Sequence, residues 1–224
     1  MKSNALWRSS PLGWRLAAAA LSLTLVYGCG AIRSVVTPLP QPNNYSLDGA
    51  RDDTAAPAGA RPADTAPTLI VSSPHAAAGF DSPHIMYVRH ANQLEYFAEN
   101  EWIDTPARML APLIVAAVER SGAFRAVVQT PSPAAGDLRL DTEILRLQHE
   151  FLATPDQVRF TLRAYLVESA TRRVIASREF EAAVPADTAD ARGGVVAAGR
   201  AVRSVLEKLS AFCAETARDA RLAK

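Results

Sequence analysis

The sequence predicts an α+β fold, a mostly antiparallel sheet with two amphipathic helices packed on one face. Three observations predict it. Between residues 138 and 184 lie three long runs of alternating apolar and polar side chains, joined by short polar connections. That is the pattern of an antiparallel meander with one wet face. Two stretches, one after Thr105 and one after Thr188, repeat apolar residues at helical spacing. Aromatic and β-branched residues flank a short polar break at residues 90–93, which predicts a hairpin.

The elements follow in order. Tyr45-Ser46-Leu47-Asp48 alternates briefly, as a strand does. Thr68-Leu69-Ile70-Val71-Ser72 is a compact apolar run closed by Pro74 and reads as a buried strand. Ile85-Met86-Tyr87-Val88-Arg89 and Leu94-Glu95-Tyr96-Phe97 are the two arms of the hairpin. A helix follows, with Thr105 placed to cap it and Pro106 at its first position. Its stripe is Met109, Leu110, Leu113, Ile114, Ala117 and Val118, and Gly122 is placed to end it. Pro112 should kink this helix near its middle. Residues 124–129 read as a strand. The three meander strands place Leu138, Leu140, Thr142 and Ile144, then Val158, Phe160, Leu162, Ala164 and Leu166, then Val174, Ala176, Phe180, Ala182 and Val184 on one side. Arg178 interrupts the last of these. A final helix from about Thr188 carries Val195, Val196, Gly199, Val202, Leu206, Leu209 and Cys213 as its stripe, with Gly193 and Gly194 near its start.

Before the sheet the chain has a different character. Lys2, Arg8 and Arg15 precede a 13-residue apolar run at 16–28, and no acid occurs before Cys29. This is the layout of an export signal. The run is too short for a membrane span, which needs about 20 residues. Residues 30–44 hold Pro38, Pro40 and Pro42 at alternate positions and predict an extended spacer reaching about 45 Å. Residues 50–67 are rich in Ala, Pro and Asp and predict a flexible insertion. Beyond residue 28 the chain carries 21 basic and 23 acidic side chains, a net charge of −2, so no nucleic-acid footprint is present. Cys213 sits in an apolar helical pattern and reads as a small buried hydrophobe.

No catalytic, cofactor-binding or metal set is legible. The four histidines, His75, His84, His90 and His149, lack helical metal-pair spacing. His75 and His84 with Asp81 between them make only a weak metal pattern in a loop. There is no G-x-S-x-G elbow, H-E-x-x-H pair or Walker-type loop. Asp137, Asp141 and Glu143 lie along one strand, but two of them alternate with Arg139 and read as a wet face. The aromatic group Tyr87, Tyr96, Phe97 and Trp102 falls within 16 residues. It either builds the core where hairpin and helix meet or forms a contacting edge for protein or lipid.

The ending Val26-Tyr27-Gly28-Cys29 resembles the lipobox of bacterial lipoproteins, with an aliphatic residue three before the cysteine and a small one just before it. The resemblance implies a signal peptide at 1–28, a diacylglycerol on the Cys29 thiol and acylation of its amine. In enterobacteria an Asp after the cysteine favours the inner membrane. Gly30 stands there, which points to the outer membrane. Several acyl chains together anchor firmly, at about 0.8 kcal/mol per buried CH₂.

A longer series of landmarks follows the lipobox. It runs through Tyr45-x-Leu47, Leu69-Ile70-Val71, residues 85–89, Leu94-Glu95-Tyr96-Phe97 and Trp102. It continues with the Pro106 helix ending in Ser121-Gly122-x-Phe124, Asp137-Leu138-x-Leu140, Ala164-x-Leu166 and Val174-Ile175-Ala176-Ser177-Arg178-x-Phe180. This resembles the ABC-type transport auxiliary lipoprotein family, which includes the lipoprotein partner of the paraquat-inducible transport system. The resemblance implies three segments: the signal peptide 1–28, the lipidated Cys29 and tether 29–44, and the auxiliary domain 45–224 interrupted at 50–67. It implies a non-enzymatic periplasmic subunit, without a cofactor, beside ABC transporter subunits and a mammalian-cell-entry (MCE) substrate-binding protein. Such systems move lipids or other hydrophobic molecules. Only Cys29 carries a stated chemistry across. Tyr87, Arg89, Tyr96 and Trp102 match family landmarks and are the candidate partner or lipid contacts. A homo-oligomer is compatible with this role, although no heptad or symmetric interface is legible. A direct lipid binder and an envelope hydrolase are the rival readings.

Overall fold

The computed structural model describes residues 41–50 and 65–222. The export signal, Cys29, the tether up to residue 40 and residues 51–64 of the insertion lie outside the described residues. The chain runs through β1 (Asn43–Tyr45), a 3-10 turn at Asp48–Ala50, β2 (Thr68–Val71), β3 (His75–Ala76), β4 (His84–Val88) and β5 (Glu95–Trp102). Helix α1 (Pro106–Glu119) follows, then β6 (Ala126–Gln129), β7 (Leu138–Glu150), β8 (Gln157–Glu168), β9 (Arg173–Pro185) and helix α2 (Ala191–Leu222).

Among the described residues nine strands form one mixed sheet, which corrects the expectation of a mostly antiparallel one. The meander β7–β8–β9 and the hairpin β4–β5 are antiparallel. The pairs β1–β5, β2–β6, β2–β7, β3–β7 and β4–β7 are parallel. The physical reason is that alternation reports which face is wet, not which way a neighbour runs. Parallel pairing depends on long crossovers, and helix α1 lies on such a return. Strand β7 is 13 residues long. One of its edges takes β8 along its whole length, and the other takes β2, β3 and β4 in succession.

The core lies between the sheet and the helices. Phe160, Leu162, Ala164 and Leu166 of β8 are fully buried, with Leu138, Leu140 and Ile144 of β7 beside them. Each large side chain of this kind stabilises the fold by about 1.5–3 kcal/mol relative to exposure. The opposite face carries cross-strand charge: Arg163 bridges Glu143 at 3.5 Å and Glu179 at 3.1 Å. Arg159 bridges Glu150 and Glu181 in the same manner.

Helix α1 buries Leu110, Leu113, Ile114, Ala117 and Val118 and runs through Pro112 without interruption. Thr105 occupies its N-cap with extended backbone, although the threonine side chain makes no capping bond. Gly122 lies just beyond the helix with φ +63°, a conformation glycine adopts without strain. Helix α2 starts later than Thr188, at Ala191, and buries Ala197, Ala198, Ala201, Val202, Val205, Leu209, Phe212 and Cys213. Val196 is off this stripe and exposed. Burial pushes the Cys213 thiol up to about 12, so it stays protonated and packs as an apolar group.

Candidate functional site

The hairpin separates the four candidate contact residues. Tyr87 points inward, its ring 4.7 Å from Phe97 and 5.9 Å from Phe151. Its hydroxyl donates to Glu95 Oε2 at 2.9 Å and accepts from Arg89 Nη2 at 3.0 Å. Burial, followed by the bond to the Glu95 carboxylate, raises the Tyr87 phenol above its ordinary value. The Arg89 guanidinium lies 4.7 Å from the Tyr87 ring centre, a cation–π distance. Tyr96 is on the other face, 53% exposed and stacked on His84 at 4.3 Å. His84 Nδ1 is 3.5 Å from Glu101. Trp102 closes β5 from inside the core at 3% exposure. Tyr87 and Arg89 therefore form one group, Tyr96 is half exposed in its stack with His84, and Trp102 is covered. His75 is exposed on the two-residue strand β3. Among the described residues no group of three or more His, Cys, Asp or Glu is placed to hold a metal.

The sequence reading missed a buried polar group at the end of β7. A register shift between Ile144 and Arg146 inserts one residue into the strand. Such a bulge exchanges the faces beyond it, so Leu147 and His149 turn inward although Leu138, Leu140 and Ile144 already do. His149 is 2% exposed. Its ring lies 4.1 Å from Phe151 and 6.5 Å from Phe97. Nε2 is paired with the Asp156 carboxylate from the turn between β7 and β8. Among the described residues Nδ1 has no hydrogen-bond partner, and it faces the first turn of α2 at Gly194. That first turn is fixed by Asp190, whose Oδ1 accepts from Gly193 N–H at 2.7 Å and from the Thr188 hydroxyl at 2.7 Å. The pair thus joins a turn, a strand and a helix start. The signals available in the sequence were Gly193 and Gly194 at the start of the helix and a histidine one position out of register.

Next to it, Glu150 is 7% exposed. Its carboxylate accepts from Arg159 Nε at 3.0 Å, Gln148 at 2.8 Å and Gln157 at 3.2 Å. Burial pushes its pKa up, but these bonds outweigh burial and hold it below the ordinary value. Asp190 is also held low, first by the Gly193 N–H and then by Thr188. Both native carboxyls therefore bind protons more weakly than in the unfolded chain. Their contribution is complete above the unfolded carboxyl range, about pH 4. It is lost as pH falls through the lower native values. The share of stability held by these two carboxyls is expected to be level from pH 7 to about pH 5 and to fall on further acidification, lowering the melting temperature there. Glu150→Gln should make that fall shallower in a pH series of thermal melts. An unchanged acid slope would remove Glu150 from this account.

At the opposite end of β7 a cleft of about 600 Å³ opens between β9 and the last turns of α2. Leu138, Ile175, Phe212 and Ala217 line it, and Glu215 and Asp219 stand on its helical side. Arg178, the charge that interrupts the apolar side of β9, lies with its guanidinium 4.9 Å from the Phe212 ring centre. By contrast, the space beneath Trp102 and His149 is about 10 Å³, room for a single water at most.

The fold has solved relatives. A crystal structure of a protein from Xanthomonas campestris assigned to the DUF330 family superposes with a TM-score of 0.69 at 25% identity, covering 80% of this chain and 99% of that one. A second crystal structure, described only as an uncharacterized protein, gives a TM-score of 0.57 at 14% identity over 78% and 97% of the two chains. No curated protein matches the chain. Residues 45–210 match the family model of the ABC-type transport auxiliary lipoprotein component. The chain belongs to that family.

Proposed function

We propose that this chain is a non-enzymatic periplasmic subunit, anchored by lipid on Cys29 in the outer membrane, that docks an MCE-type complex carrying lipids or other hydrophobic molecules. The observation that carries the reading is the family match over residues 45–210, placed behind a lipobox-like ending at Cys29. The Pro-rich segment supplies reach and the α+β domain supplies the contact surface. Among the described residues no helix is long and apolar enough to cross a membrane, so Cys29 carries the anchoring in this account. Direct lipid binding has less support. The space inside the sheet–helix layer under Trp102 is about 10 Å³, and the larger cleft has Glu215 and Asp219 among its lining.

Affinity recovery of the full lipoprotein from gently solubilised envelopes tests the reading. The expected result is co-recovery of an MCE protein with its ABC subunits. Cys29→Ala should move the protein to the soluble fraction with an unchanged melting temperature. A membrane-bound Cys29→Ala protein, or a native preparation free of every transport component, would defeat the proposal.

A further inference from the structure

The long edge of β9 is guarded over one half only. Ala186 N–H donates to Asp156 O at 3.0 Å, one step beyond the Gln157–Pro185 pair. In an antiparallel ladder this makes Pro185 a non-hydrogen-bonded position, so its own main-chain groups point away from β8. The register is unbroken back to Ala176. Ala183, Glu181, Glu179 and Ser177 therefore also point their N–H and C=O groups outward. Three devices occupy the first part of this edge. Pro185 has no N–H to offer, and its carbonyl accepts from Arg200 at 2.8 Å. The Glu181 carbonyl accepts from Lys208 Nζ at 2.9 Å. Proline and lysine on an edge are ways in which proteins prevent strand addition. Ser177 and Glu179 have no such main-chain guard among the described residues. Other sheet margins are short, three residues at β1 and four at β6, whereas β9 has 13.

The unguarded half adjoins the 600 Å³ cleft, because Ile175, Ala176, Ser177 and Arg178 form one of its walls. Val174, at the start of this half, is 52% exposed. An incoming strand would find main-chain partners at Ser177 and Glu179 and a recess beside Ile175 and Phe212, with Arg178 lying over the Phe212 ring. It would also pass Glu215 and Asp219, two exposed carboxylates of α2.

We propose that the open half of β9 is a strand-addition site for an extended segment of the transport partner, apolar at the residue entering the cleft and basic at the residue facing Glu215 and Asp219. This rests on the docking role proposed above. Main-chain pairing supplies the affinity, and the cleft selects the side chain.

The test uses full-length lipoprotein in native envelopes. Ser177→Pro removes an outward N–H, a substitution tolerated on an edge strand. Ala183→Pro makes the same change in the guarded half. Ala220→Trp fills the cleft from its helical rim. Ser177→Pro and Ala220→Trp are each expected to lower recovery of the transport partner at least tenfold, while Ala183→Pro recovers it as the native protein does. A photo-crosslinker at position 177 is expected to map to one contiguous segment of a transport subunit. That readout holds even where a variant fails to fold. Full recovery with Ser177→Pro overturns the site but leaves the docking role standing. Crosslinks to a second copy of this chain overturn it in favour of self-association. Copurifying lipid displaced by Ala220→Trp, with partner recovery unchanged, overturns it in favour of a lipid subsite. Native protein that recovers no transport subunit overturns the docking role and this site together.

Discussion

Replacing Asp156 with alanine is expected to lower the stability of the domain by about 2–3 kcal/mol, a fall in melting temperature of roughly 5–10 °C. His149 is shut away from bulk solvent: its side chain is 1% exposed, and Nδ1 has no hydrogen-bond partner among the described residues. Removing Asp156 strands Nε2 as well. A polar ring with both nitrogens unpaired then sits among Phe97, Phe151 and the start of α2. Breaking a buried pair costs more than forming it gains, because the remaining group keeps the whole desolvation cost. Asp156 itself is 17% exposed, so its own hydration offsets part of the loss and places the effect toward the low end. Asp156→Asn keeps an acceptor oxygen for Nε2 and is expected to cost about 1 kcal/mol. Thermal and denaturant unfolding of the two variants separates the contributions. Equal effects below about 0.5 kcal/mol for both would mean that the pair does not hold the turn to the strand.

How much of this was legible in the sequence depends on what each residue pattern reports. Alternation in β8 gave its buried side correctly, because Val158, Phe160, Leu162, Ala164 and Leu166 are continuous and the strand is free of bulges over that span. It misled in β7 beyond Ile144, where one inserted residue exchanges the faces and brings His149 inside. It also misled in β9, where a second irregularity between Val174 and Ala176 leaves Val174 in solvent. Strand direction was not readable from alternation. The run Thr68-Leu69-Ile70-Val71 nevertheless held a clue, since a strand apolar on successive residues is covered on both faces, as parallel strands are. β2 indeed lies between β6 and β7 and parallel to both. The hairpin was legible from its composition, but composition could not assign Tyr87 and Tyr96 to opposite faces or Trp102 to the core. That assignment depends on the pairing of Met86 with Tyr96 and on what packs behind each strand. The open half of β9 was the least legible of all, because the residues that close the other half, Arg200 and Lys208, come from a helix later in the chain.

Gly194 offers the sharpest test of the buried group, since two principles predict opposite signs. In a helix, glycine to alanine normally stabilises by about 1 kcal/mol. A Cβ at position 194, however, would lie 2.6 Å from His149 Nδ1 and 3.4 Å from two further ring atoms. The ring cannot shift easily, because Phe151 stacks against it with ring centres 4.1 Å apart and Asp156 holds its other nitrogen. Overpacking of this kind costs about 1–3 kcal/mol, so crowding outweighs propensity and Gly194→Ala is expected to destabilise by about 1–2 kcal/mol. Gly199, one turn further on, supplies the internal comparison. The atoms nearest its added Cβ would be backbone of Gly49 and Ala50 at 3.4–3.6 Å, ordinary contact, and Gly199→Ala is expected to be neutral or stabilising. The two changes should therefore differ in sign in the same melting experiment. Combining Gly194→Ala with Asp156→Ala frees the ring to turn, and the double variant should lose less than the sum of the single losses. Strict additivity would show that the helix start and the turn do not communicate through His149.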